Sequence, residues 1–368
     1  METPYEKLSN EDGYSYVRPA GTPSAAITEM TVAPEMQAVS RKQQDLPAPK
    51  RLNHLLVPLD GTREGEWALP YATALARMLH AQLVLGHVTP TETVNPIAQA
   101  LHIAGSREQV AQQTFAPQAL SYLRDLRWRL AVPMNQMRTF HISAPTVTDG
   151  LLDFISTNEI DLVFLRLRTH YTAGNLSLGT VVDALIRQSP VPVLVIPPAA
   201  EPSIHPFTLR HIMLPLDGSA LAESALAPLL GLLTQAYGQP GTPLTVTLFG
   251  VAENYAVLPD YQSYLHAIRA RLLALPICAH IQINAIATVG SAPGAIVTAV
   301  AQGIKGEESE DGKSDTISAF ASAGPVDLVL MATHGRGGLD RWLFGSVASY
   351  VLPRIEIPVL LTHPVFAP

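Results

Sequence analysis

Apolar residues in this chain fall into two alternating textures. Short runs such as Leu55-Leu56-Val57 and Leu162-Val163-Phe164-Leu165 are almost wholly apolar. Longer stretches between them place apolar residues three and four positions apart. The first texture marks buried strands and the second marks amphipathic helices. Strands are expected near 53–59, 82–88, 136–142, 161–166 and 192–196, and again near 210–216, 243–251, 281–287, 327–332 and 358–362. Helical patterns cover Glu64–His80 and Ala220–Tyr237, with Thr62 and Ser219 as N-caps. Strand–helix alternation predicts a parallel sheet covered on both faces, with right-handed crossovers.

The pattern repeats. His54-Leu55-Leu56-Val57-Pro58-Leu59-Asp60-Gly61-Thr62 returns 157 positions later as His211-Ile212-Met213-Leu214-Pro215-Leu216-Asp217-Gly218-Ser219. Asp161-Leu162-Val163-Phe164-Leu165 matches Asp327-Leu328-Val329-Leu330-Met331. Gly179-Thr180 matches Gly345-Ser346, and Val191–Val195 matches Ile357–Leu361. Landmarks in one order mean an internal duplication. The expected organisation is a tail over 1–50, a first domain over 51–199, a linker over 200–209 and a second domain over 210–368. The tail is polar and without a sustained period, so disorder is expected there over a docking arm. Prolines at 197, 198, 202 and 206 make the connection stiff. Residues 303–325 form a polar, acidic insertion before the fourth strand of the second copy, read as a surface loop. The fold class is α/β, two tandem five-stranded parallel-sheet domains of flavodoxin-like type. Each domain's ligand site is expected at the carboxyl ends of strands one and four, the switch point.

Composition narrows the function. The 368 residues suit about two domains. No apolar run approaches the ~18 residues of a membrane span, and the start lacks the features of a signal peptide; the expectation is a cytoplasmic protein with no membrane partner. The single Cys278 excludes an internal disulfide and a multi-cysteine metal site. A net charge of −7 argues against nucleic acid. All five lysines (7, 42, 50, 305 and 313) fall in the tail or the insertion. A phosphate site in the folded parts must then use backbone N–H groups, helix N-termini or arginine.

Gly312-Lys313-Ser314 looks like the end of a P-loop, but the spacing puts Glu307 where glycine is required. The better candidate follows strand four of the second copy: Ala332-Thr333-His334-Gly335-Arg336-Gly337-Gly338, continuing to Gly345-Ser346. Glycines let the backbone approach a ligand closely, and consecutive N–H groups can form an anion nest. Gly345-Ser346 opens a helix, where the dipole favours anions. Arg336 and Arg341 read equally as rim charges or as solvated surface.

Here the residues resemble the universal stress protein family, whose ATP-binding members carry Gly, two residues, Gly, nine residues, then Gly-Ser or Gly-Thr. Gly335, Arg336–Phe344 and Gly345-Ser346 match, while Ala332 replaces the first glycine. The resemblance covers 53–199 and 210–363. It implies an adenine nucleotide alpha hydrolase-like fold and ATP, with Mg²⁺ among the phosphates, in the second domain. It implies that Pro215, Leu216, Asp217 and Val251 meet the nucleoside. Met331 and Ala332 end strand four, and His334, Gly335, Arg336, Gly345, Ser346 and Val347 lie near the phosphates. If Ala332 sits in extended backbone, its replacement of glycine is mild. In the first copy Arg166, Thr169, Tyr171 and Thr172 replace Ala332, Gly335, Gly337 and Gly338, so a degenerate site is expected. Arg166, Arg168 and His170 form an alternative anion set there. The family pairs through its last strand, so Val191–Ile196 and Ile357–Thr362 are expected to pair within the chain, with a homodimer left open. The histidines show no metal-ligand spacing, and no residue stands out as a dedicated base, so at most slow ATP hydrolysis is expected. The overall expectation is a nucleotide-dependent role in stress response or signalling. A nucleotide-free scaffold and a nucleotide-using enzyme of related fold remain as alternatives.

Overall fold

The computed structural model describes residues 46–92, 115–130, 132–168, 179–198, 200, 207–236, 243–302, 324–333 and 345–363. It also describes the backbone of Tyr5–Ser9, Ser15–Pro19, His170–Thr172 and Asn175–Ser177. Ten strands build the main sheet: β1 (His54–Leu59), β2 (Gln82–Pro90), β3 (Met137–Ala144), β4 (Leu162–Arg166), β5 (Val193–Ile196), β6 (His211–Pro215), β7 (Thr245–Ala252), β8 (Gln282–Val289), β9 (Leu328–Ala332) and β10 (Val359–Thr362). Every strand expected from the apolar runs is present. The helices are α1 (Leu69–Leu79), α2 (Ala116–Arg129), α3 (Val147–Thr157), α4 (Thr180–Gln188), α5 (Ala220–Glu223), α6 (Leu226–Ala236), α7 (Leu258–Leu273), α8 (Ala292–Gln302) and α9 (Ser346–Val351).

The sheet order is β8-β7-β6-β9-β10-β5-β4-β1-β2-β3. Each unit is all-parallel with the order 3-2-1-4-5, so its first and fourth strands are neighbours and connections leave them in opposite directions. That is the switch point the sequence predicts, reached with strand three at the outer edge. The two units meet where β10 pairs antiparallel with β5, Leu360 opposite Leu194. The pairing expected of the two last strands is therefore made within one chain. It also removes an open edge from each unit.

Alternate residues of each strand feed opposite faces. Leu55 and Val57 join one core, with α1, α2, α6 and α7 packed over it. Leu56 joins the other, under α3, α4, α8 and α9. Both cores run through both units. A fully buried leucine contributes about 1.5–3 kcal/mol, and two-sided burial explains why the strands read as continuous apolar runs.

The duplicated aspartates at the start of strand four have a structural task. Asp161 Oδ2 accepts from the amides of Asn53 (2.8 Å) and His54 (3.0 Å). Asp327 Oδ2 accepts from those of Arg210 (2.8 Å) and His211 (2.9 Å). Each clamps the amino end of strand one, far along the strands from the switch point.

Most of the tail 1–50, residues 303–323 of the insertion and part of the linker lie outside the described residues. Within the tail, Tyr5–Ser9 pairs antiparallel with Ser15–Pro19. Its last residues are docked. Lys50 N–H donates to Ala227 O at 3.4 Å, and Leu52 N–H to Gln235 Oε1 at 2.6 Å. The segment entering unit one thus lies on α6 of unit two. The segment entering unit two returns the contact, with the Phe207 ring 5.0 Å from that of Tyr71 on α1.

Candidate functional site

In unit two the chain leaves β6 at Pro215 and turns through Leu216-Asp217-Gly218. Gly218 adopts φ +80°, a conformation glycine takes without strain. Asp217 Oδ1 accepts from the Ser219 amide (2.9 Å) and hydroxyl (2.6 Å). Ser219 Oγ accepts in turn from the Ala222 amide at 3.1 Å, which makes Ser219 the N-cap of α5. The Thr62 hydroxyl does the equivalent work in unit one, accepting from the Gly65 amide at 3.1 Å.

Val251 is the next-to-last residue of β7, and Met331 and Ala332 end β9, both buried. Ala332 pairs with Thr362 as a regular strand residue, so alanine carries no backbone cost there. Thr333 follows, 1% exposed. The Gly345 amide donates to Thr333 O at 2.9 Å, which ties the two ends of the glycine-rich segment together at the head of α9. That amide is thereby engaged within the protein. The groups left to face an anion at this end are the exposed Ser346 hydroxyl and the following amides of α9. The sheet thus brings Pro215, Leu216, Asp217, Val251, Met331, Ala332, Gly345, Ser346 and Val347 to its carboxyl edge. His334, Gly335 and Arg336 lie outside the described residues.

The same place in unit one is filled by the protein. Arg168 reaches back over the turn, its Nη2 2.6 Å from Asp60 Oδ2 and 2.5 Å from Thr62 Oγ1. Burial alone would raise the Asp60 pKa. The Thr62 donors and the Arg168 charge outweigh it and hold the carboxyl below its ordinary range. Arg166, at the position of Ala332, donates to Pro198 O at 2.6 Å and stacks 4.5 Å over the Trp67 ring. Both arginines of the alternative anion set are therefore engaged inside the protein. Beyond them the backbone forms a hairpin, His170–Thr172 with Asn175–Ser177.

One duplicated constellation escapes a reading by motif. Glu66, Tyr122 and Arg129 in unit one correspond to Glu223, Tyr264 and Arg271 in unit two. Arg129 Nη2 meets Glu66 Oε1 at 2.9 Å. The Tyr264 hydroxyl donates to Glu223 Oε1 at 3.1 Å, and Arg271 lies 3.9 Å from Oε2. Glu223 is 6% exposed. Burial raises its pKa more than Tyr264 and Arg271 lower it. Burial, then the charge of Glu223, pushes the Tyr264 phenol upward. Part of the signal was present in the sequence: Glu66 and Glu223 share the 157-residue offset of the strand-one repeat, and the seven-residue Tyr–Arg spacing recurs as Tyr122–Arg129 and Tyr264–Arg271.

Fold and site together define a tandem, doubly wound α/β protein fused into one sheet. Residues 51–197 and 208–363 each match the universal stress protein family, and the chain belongs to that family. The universal stress protein Slr1230 of Synechocystis sp. is 23% identical over 325 residues, spanning 84% of this chain and 99% of that protein. A universal stress protein from Archaeoglobus fulgidus has the same overall fold, with a TM-score of 0.53 at 15% identity, covering 85% of this chain and 98% of that one. A universal stress protein solved in complex with cAMP matches 40% of this chain and 97% of its own length, with a TM-score of 0.27 at 16% identity. Among the described residues no helix is long and apolar enough to cross a membrane.

Proposed function

We propose that unit two binds an adenine nucleotide, ATP with Mg²⁺, and that unit one serves as its structural partner. The protein then acts in a cytoplasmic stress response or signalling role through nucleotide occupancy. The observation that carries this reading is the convergence of Asp217, Val251, Met331-Ala332 and Gly345-Ser346 on one switch point. Asp217, fixed by Ser219, would face the nucleoside, and Ser346 with the α9 amides would face the phosphates. Mg²⁺ would be shared among the phosphates. The filled crevice of unit one favours a single nucleotide per chain. It also keeps a second reading in play, a nucleotide-free scaffold.

The test is to denature the purified protein and identify the released nucleotide by chromatography and mass. Gly345→Asp is run beside wild type. Gly345 has φ −56° and ψ 137°, open to any residue, so the substitution brings no backbone strain and the added carboxylate is expected to repel phosphate. About one adenine nucleotide per chain, lost in the variant, supports the reading. Two per chain overturns the structural role of unit one. None, with added ATP and Mg²⁺ also failing to bind, leaves the scaffold.

A further inference from the structure

A second space lies at the junction of the two units, beside the carboxyl end of β10 and the head of α5. It is a cavity of about 300 Å³. The docked tail brings Lys50 to it, α5 and the turn after it bring Glu223 and Ser224, and α6 brings Pro228. Val191 comes from the approach to β5 and His363 from the end of β10.

The pseudo-twofold axis places an equivalent region in unit one, and there large side chains occupy the corresponding positions. Trp67 stands where unit two has Ser224, Tyr71 where it has Pro228, and Phe207 where it has Lys50. Arg166 covers Trp67, and Tyr71 meets Phe207 at 5.0 Å. The counterpart of Arg166 is Ala332. Trp67, Tyr71 and Phe207 in one half thus give way in the other to Ser224, Pro228 and Lys50, all three on the cavity wall. Three matched changes of this kind around one space argue against a chance packing defect, since voids in protein interiors are few and costly.

The chemistry of the lining selects a ligand. Lys50 is half-buried, and its ammonium has no hydrogen-bond or ion-pair partner among the described residues. Burial holds its pKa below the ordinary lysine range, with Asp161 opposing at a distance. An unpaired cation in a partly dry space favours an anion. The walls beside it are apolar, Val191 and several prolines. Glu223 also lines the space; its buried carboxyl is held by Tyr264 and Arg271 and keeps lone pairs that can accept a further hydrogen bond. His363 is a wall and not a ligand group, because its ring atoms already meet Thr333 Oγ1 at 3.0 Å and Ile186 O.

We infer that this interdomain cavity binds a small organic monocarboxylate whose apolar body carries a hydroxyl or amine at the far end. The carboxylate pairs with Lys50 and the donor faces Glu223 and Ser224. A volume of about 300 Å³ is at the small end of ligand pockets. The site joins both units and the tail, so occupancy would reinforce their contact. It stands independently of nucleotide in unit two.

The probe is 4-hydroxyphenylacetate, titrated into the full chain by calorimetry and by ligand-observed NMR, with the neutral 4-hydroxyphenylacetamide as control. Wild type is expected to bind the acid with Kd of about 1 mM or tighter and the amide at least about tenfold more weakly. Lys50→Met, which keeps the stem, should weaken the acid about tenfold or more and leave the amide unchanged. Ser224→Trp rebuilds the plug of unit one and should abolish both. Equal binding of acid and amide overturns the inference. So does acid binding that survives both substitutions, or no acid binding to wild type at about 10 mM.

Discussion

His211 shows what one buried residue does to the pH response. It is 2% exposed at the start of β6. Its Nδ1 lies 3.0 Å from Gly324 O and its Nε2 2.8 Å from Thr247 Oγ1. With the carbonyl accepting from Nδ1–H, the Thr247 hydroxyl donates to Nε2, which fits a neutral ring. Burial lowers the pKa more than the Gly324 carbonyl and Asp327 raise it. The unfolded chain therefore binds the proton more readily. The stability contribution is complete above the unfolded value of about 6.5 and is lost as pH falls toward the depressed native value. Urea unfolding of His211→Gln between pH 7.5 and 5 should show a shallower decline than wild type. A parallel pair of curves would remove His211 as the source of that slope. The variant should also lose about 1–2 kcal/mol at pH 7.5 from the disturbed hydrogen bonds.

At the scale of elements, the docking of the tail on α6 depends on a missing side chain. A Cβ at Gly231 would come within 1.9 Å of Lys50 O. Gly231→Ala gains about 1 kcal/mol of helix propensity but forces the backbone of the tail outward. Overpacking of this kind costs about 1–3 kcal/mol. The net expectation is a lower thermal midpoint, with faster hydrogen exchange at the Lys50 and Leu52 amides; an unchanged exchange rate would mean that the tail is not held by this contact. The glycine is unremarkable in sequence, since it interrupts a helical run without any local turn. Its reason is a residue 181 positions away.

For the whole molecule, the β10–β5 pair and the two shared cores make one body of two homologous units. A specific protease site placed within 201–206 and then cut should leave both halves co-eluting at the size of the intact chain. Leu360 is fully buried at the centre of the seam. In the cut protein, Leu360→Lys should release two separate halves, because an unpaired buried ammonium costs more than the seam's local contacts return. Separation of the cut wild type would show that the linker, and not the sheet, holds the units together.

The sequence by itself determined the strands, the duplication and the family. Each rests on local periodicity or on repeated text, and local order survives in a linear string. It also determined that the two copies differ at the switch point, because Arg166 and Ala332 occupy matched positions. The tertiary structure decided where Arg166 and Arg168 go, onto Trp67, Pro198 and Asp60. It decided that the Gly345 amide is taken up by Thr333 O. It alone placed Lys50 in an interdomain cavity, when its polar surroundings in sequence read as free tail. These outcomes depend on which side chain reaches which space across distant segments. Nothing in a residue's neighbours along the chain encodes that reach, which is set by the antiparallel seam and the crossing of the two entry segments.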